Sequence, residues 1–457
     1  MYKRQVLQAA IEISQAETAT DRARFYAFAR RGRPQADGAT ARLVELRHRG
    51  HAYRCTVSQI AGERHRVAID GVSVEVGVRR VGAYERRLEV AGVAYRTVVA
   101  EHGADLHVEV NGVPHRIGRD DGGLVRNLAP AVVVSIPVAP GDAVEAGDVI
   151  AVVESMKMET SLVAPFRGRV RQVLAGPNVH VAAHTPLVQL EALDGAAADG
   201  AAGERISFTA LRAGLPGAPQ RCRENLERLE WAALGYDIDT AEVERIVSDL
   251  HGECSDLPAR HHALIRDEHR LLAQFADLRA LSRSRHGDDE DEGELVRSPQ
   301  EHLYAFLGSL DAQVAGLPDH YAEELRSALR HFGIESLDRT PALEEACYRL
   351  FLAQQRAPTV RRAVLAILDR RLEPEARAEV AGPDFRAVLD KLAAATDGRD
   401  PVLADLARQV RFASFDQPVI AAARAKVYAG ADADLEALTE DPERCLLYTS
   451  PSPRDRS

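Results

Sequence analysis

Between Leu124 and Glu191 the chain repeats itself, and the repeat restricts the fold more than any other feature. Val133-Val-Ser-Ile136, then Pro140-Gly141, Val144, Gly147 and Ile150 to Glu154 form a first half. Val170-Arg-Gln-Val173, then Pro177-Asn178, Val181, His184 and Leu187 to Glu191 form a second at a constant offset. Short apolar runs bounded by Pro, Gly and Asn read as strands and turns. A unit this small, repeated once, predicts a pseudo-twofold β-sandwich over residues 124–192. The join between its halves is Ser155-Met-Lys-Met158.

The flanks read differently. Val6 to Arg31 carries Val6, Ile11, Ile13, Phe25 and Phe28 among Ala, Glu and Arg, and predicts a helix of imperfect period that Gly32-Arg-Pro34 stops. Residues 41–119 alternate in short runs punctuated by Asp70-Gly71, Ala91-Gly92 and Asn111-Gly112. Asp-Gly and Asn-Gly supply the positive φ angles of two-residue hairpins, so this stretch predicts an antiparallel meander closed into a small β-barrel. Its many Arg side chains are read as a solvated surface rather than a phosphate site. Residues 193–205 are an Ala/Gly/Asp linker. Residues 206–444 turn helical, with a start at Asp239-Thr240 and further helices near 258–283, 298–315, 320–332, 341–356, 358–371, 383–396, 401–412 and 416–428. The fold class is therefore multidomain, all-β then all-α: a small antiparallel barrel, a pseudo-twofold β-sandwich barrel and a helical domain. Arg285 to Glu294 is an acidic loop. The consecutive acids Asp288, Asp289, Glu290 and Asp291 do not alternate as EF-hand ligands do, so the loop is read as solvated.

Composition narrows the function. A net charge of −11 over 457 residues argues against a nucleic-acid partner. No apolar run is long enough to cross a bilayer and no signal-peptide pattern is present, so no membrane partner and a cytoplasmic location are expected. Cys55, Cys222, Cys254, Cys347 and Cys445 form no CxxC pair, which fits a reducing compartment and gives no metal spacing. Both ends, residues 1–5 and 445–457, resemble translated adapter DNA. The expected natural segment is roughly Val6 to Arg444, cut from a longer reading frame.

Lysine occurs four times and methionine three times, yet both internal methionines, Met156 and Met158, flank one lysine, Lys157. A lysine at a hairpin tip is ordinarily a solubilising charge. Exposed methionine on a turn has no packing reason, however, and a turn that favours Asn or Gly holds Met-Lys instead; such departures mark functional sites. A long, flexible lysyl stem at the apex of a rigid module suits a tethered prosthetic group that moves between distant centres.

Glu154-Ser-Met-Lys-Met-Glu159 resembles the attachment motif of biotin carboxyl carrier domains, as do Val138-Ala-Pro-Gly-Asp142, Gly147-Asp148, Ala164-Pro165 and Gly168. The resemblance covers residues 124–192 and implies a biotinyl/lipoyl-type fold with biotin bound covalently to Lys157 between Met156 and Met158. Two departures, Leu128-Ala-Pro-Ala131 and His184, concern turn geometry. His184 has no partner at ligand spacing and is read as a surface turn residue. The flanks resemble the linker and central non-catalytic region of multidomain bacterial acetyl-/acyl-CoA carboxylases, the closest local match being Ala404 to Arg411. The implied partners are a biotin protein ligase and the biotin carboxylase and carboxyltransferase domains of the full-length protein. Neither catalytic centre is visible in this chain: it has no Gly-rich phosphate loop and no evident CoA site. The expected catalytic residues and metal ligands are none. Other carriers stay open: one of the pyruvate carboxylase or decarboxylase type, a lipoyl domain (whose lysine is typically preceded by Asp and followed by Ala), or a non-catalytic helical scaffold.

Overall fold

The computed structural model describes residues 2–102, 105–119, 123–127, 129–155, 158–182, 185–192, 205–211, 217–252, 254, 262–283, 298–373 and 382–440. The chain divides into two compact units, Met1–Ala23 with Ala39–Leu215 and Arg24–Gly38 with Pro216–Ser457. Among the described residues no helix is long and apolar enough to cross a membrane.

Helix α1 (Lys3–Ala29) belongs to the first unit as far as Ala23, and eight antiparallel strands of that unit follow it, β1 (Arg42–His48), β2 (His51–Gln59), β3 (Arg64–Ile69), β4 (Val72–Arg80), β5 (Glu85–Val90), β6 (Val93–His102), β7 (Asp105–Val110) and β8 (Val113–Arg119). They pair in sequence order, and Leu46↔Arg119 closes the barrel. Strand residues alternate buried and exposed, as a sheet with one covered face requires. The cover is α1: Val6, Leu7, Ala9, Ala10 and Ile11 share one core with inward-facing residues such as Leu46, Leu88 and Ile117. From Gln5 to Ile11 every position of α1 is buried, as in a helix surrounded on all sides, and this is why its period was imperfect in sequence. No break in the helix marks residue 5, and Gln5 is buried. Among the described residues four two-residue turns join barrel strands, Arg49-Gly50, Asp70-Gly71, Ala91-Gly92 and Asn111-Gly112, and both residues of each have positive φ.

The barrel interior is partly polar. Arg86 donates to Glu12 through Nε at 2.9 Å and to the Gly82, Ala83 and Glu85 carbonyls through Nη1. Gln8 donates to the same Glu12 carboxylate at 2.9 Å. His48 Nε2 and His115 Nδ1 share a 3.1 Å hydrogen bond, and the Tyr2 ring lies 4.7 Å from the His115 ring. Residues 206–211, grouped with the helical region in sequence, pack on the barrel instead. Ile206 and Phe208 join its core, and the Ile206 amide donates to the Tyr53 hydroxyl at 3.1 Å.

The repeated segment forms two four-stranded sheets. Its strands are β9 (Leu124–Arg126), β10 (Ala131–Ser135), β11 (Ala143–Val144), β12 (Val149–Ser155), β13 (Met158–Val163), β14 (Gly168–Val173), β15 (His180–Val181) and β16 (Pro186–Ala192). The sheet orders β13-β12-β10-β15 and β9-β16-β14-β11 are one order repeated. Each half lends its short strand to the other half's sheet, so neither half is complete alone. Even the irregularities repeat: register shifts fall between Val133 and Ser135 and between Val170 and Gln172. Gly141 and Asn178 hold the equivalent left-handed turn positions. The core is apolar and matched in pairs, Val133 with Val170, Val144 with Val181 and Ile150 with Leu187.

The second unit is helical: α2 (Ala218–Ala233), α3 (Thr240–His251), α4 (His262–Ala280), α5 (Pro299–Ser309), α6 (Ala312–Ala315), α7 (Asp319–Arg330), α8 (Pro341–Arg371), α9 (Pro383–Thr396), α10 (Pro401–Arg411) and α11 (Gln417–Glu440). Asp239 caps α3 as its sequence implied, accepting from the Glu242 amide at 2.7 Å. Two expected helices, 341–356 and 358–371, are one. α8 runs through Pro358 despite the loss of a backbone hydrogen bond, and residues on either side, Leu350 to Ala353 and then Val360, Ala363, Val364, Ile367 and Leu368, are buried. Cys222 and Cys254 are joined in a disulfide, against the reading of the scattered cysteines as those of a reducing compartment, while Cys55 and Cys347 are free and buried. The acidic loop and residues 445–457 lie outside the described residues.

Candidate functional site

The hairpin at the join of the two repeats carries the candidate site. β12 pairs with β13 through Val153↔Thr160, Glu154↔Glu159 and Ser155↔Met158. The last of these pairs directly brackets Met156 and Lys157, which lie outside the described residues. β12 is anchored from below: Ile150, Ala151 and Val153 are buried in the sandwich core. β13 is an edge strand, and its residues from Met158 to Ser161 are exposed, Met158 by 72%. The site therefore rises from a packed strand to a solvated end.

Two carboxylates frame it. Glu154 and Glu159 sit directly opposite one another and are both exposed. Like charges in that relation weaken a hairpin, so packing elsewhere must hold it. Part of that support is polar. Ser155 Oγ donates to the Pro130 carbonyl at 3.0 Å, tying the base of the turn to the connection between β9 and β10. Buried Asn127 fixes the same connection through Nδ2, donating to the carbonyls of Ala129 at 2.6 Å and Ala182 at 3.0 Å. Sequence reasoning missed both residues. Ser155 was read only as part of the motif, and Asn127 carries no signal before its burial is known.

Of the sequence-predicted site residues, Met158 is thus placed at the exposed end of β13, beside the connection that holds Met156 and Lys157. His184 lies outside the described residues. Among the described residues no group of three or more His, Cys, Asp or Glu side chains gathers as metal ligands.

Comparison with known proteins gives this segment a family. Residues 122–190 match the family model for biotin-requiring enzymes. The segment is accordingly a biotin/lipoyl attachment domain, which implies biotin held covalently on a lysine. The matched residues contain one lysine, Lys157. Similarity also extends to the mitochondrial propionyl-CoA carboxylase alpha chains of Homo sapiens, 38% identical over 76 residues, and Rattus norvegicus, 37% identical over 76 residues. Each alignment takes in 17% of this chain and 10% of the relative, so the chain spans about a tenth of the length of these curated relatives.

Proposed function

We propose that Lys157 carries covalent biotin and that the chain is the carrier portion of a biotin-dependent acyl-CoA carboxylase. The observation that supports the assignment most is the single lysine of the attachment domain, bracketed by the directly paired Ser155 and Met158 at the solvated end of β12 and β13. A biotin protein ligase would join the biotin carboxyl group to Nζ as an amide. A biotin carboxylase domain would then carboxylate the ring, and a carboxyltransferase domain would pass the carboxyl group to an acyl-CoA. This chain's own residues bind and orient: the apolar sandwich core keeps the module rigid, Ser155 and Asn127 hold the base of the turn, and Met158 stands beside the arm.

An acetyl-CoA or other acyl-CoA carboxylase is the reading from the flanking sequence. Similarity of the carrier segment to propionyl-CoA carboxylase alpha chains favours propionyl-CoA as the second reading. A lipoyl carrier is disfavoured by methionine on both sides of the lysine. A cytoplasmic location belongs to the same proposal. Retention on streptavidin after incubation with biotin protein ligase, ATP and biotin tests the assignment. The wild-type chain is retained and Lys157→Arg is not; retention of the variant would place the biotin elsewhere.

A further inference from the structure

Helix α11 differs from the rest of the second unit. It follows α10 through a π-turn, Phe412–Asp416, and buries no side chain along its 24 residues. Ile420 is 43% exposed and Val427 69%. A helix without tertiary packing is marginal in water, and a solvated face gives no reason for a stripe with apolar residues at four of its six positions.

The stripe is ordered. Ile420, Arg424, Val427, Ala431, Asp434 and Leu438 follow one another in alternating steps of four and three residues, the spacing of a coiled-coil seam. The seam also matches its own reverse. Leu438 answers Ile420, Asp434 answers Arg424, and Ala431 answers Val427, all about Ala429. Two copies laid antiparallel therefore set apolar residues against apolar residues and each Arg424 against a partner Asp434. Laid parallel in register, they would stack arginine on arginine and aspartate on aspartate, which a seam excludes.

We infer that α11 is a self-recognition surface whose partner is the α11 of a second copy, paired antiparallel about a twofold axis at Ala429. Isologous contact of one patch with itself is how closed dimers form. The seam is about 28 Å long at 1.5 Å per residue. It buries on the order of 1,000 Å² in all, near the lower limit for specific interfaces, so self-association in the micromolar range is expected. The arginine–aspartate layers fix orientation more than they add affinity.

Sedimentation equilibrium of the full chain tests this, with circular dichroism to confirm that each variant stays helical. The wild type shows a monomer–dimer equilibrium. Arg424→Asp alone and Asp434→Arg alone each weaken it by about 100-fold, since each places like charges in two seam layers of the homodimer. An equimolar mixture of the two variants associates as the wild type does, because every reversed residue then meets its opposite. A wild type that stays monomeric across the micromolar range, single reversals without effect, or a mixture that fails to associate would each overturn the antiparallel pairing.

Discussion

The barrel and the carrier sandwich share a hairpin length and fill it with opposite residues. Barrel turns Arg49-Gly50, Asp70-Gly71, Ala91-Gly92 and Asn111-Gly112 end in glycine and adopt the left-handed backbone that a two-residue connection demands. The carrier hairpin places Met156-Lys157 between equally direct partners, Ser155 and Met158. Where a turn only has to reverse the chain, its composition serves the backbone. Where the composition departs from that rule, something besides reversal is being selected. The interiors differ as well. The barrel encloses ion-paired and histidine side chains around α1. Among the described residues of the carrier, the one buried polar side chain is Asn127.

Removing the barrel's internal charge pair should produce the largest difference between the modules. Glu12→Ala leaves Arg86, 7% exposed at its side chain, without its carboxylate. It should destabilise the barrel by about 3–5 kcal/mol while the carrier's hydrogen-exchange protection stays unchanged. Equal loss of protection in both modules would show that their cores are not separate.

Acidification comes next. Burial, then the neighbouring His115, Arg49 and His51, lowers the His48 pKa from 6.5 to about 4. Folding therefore favours neutral His48. Its contribution is complete above pH 6.5 and is lost as pH falls from there toward 4, by roughly 2–3 kcal/mol in all. An NMR titration should show His48 neutral at pH 5, with barrel stability falling below pH 6.5. A His48 that titrates near 6.5 would contradict the buried histidine pair.

A turn substitution should give the smallest effect. At Gly112, with φ of +84°, nothing lies within 4 Å of an added Cβ, so only backbone strain opposes a side chain. Gly112→Lys should cost the barrel about 1 kcal/mol in urea denaturation. Met156→Asn with Lys157→Gly should leave the carrier folded while removing biotin acceptance. Retained acceptance would separate the site from the hairpin.

Much of this was legible before the fold was known. The repeat gave the two interlocked halves of the carrier, because the same residues return at equivalent turn and core positions. The glycine-ended turns gave the barrel. What the barrel encloses was not legible, because Val6 to Ile11 reads as a poor amphipathic helix when its surroundings are unknown. The disulfide between Cys222 and Cys254 and the hold of Ser155 on Pro130 depend on distances that no spacing rule reports. Pro358 was read as a boundary by a local rule that tertiary packing overrides.

The central claim is chemical and concerns one nitrogen. Peptide mass spectrometry after reaction of the full chain with biotin protein ligase, ATP and biotin tests it most directly. The account predicts one added group, the mass of biotin less one water, on the peptide that contains Lys157, with Lys3, Lys391 and Lys426 unmodified. An unmodified Lys157, or biotin on one of the other three lysines in its place, would contradict it.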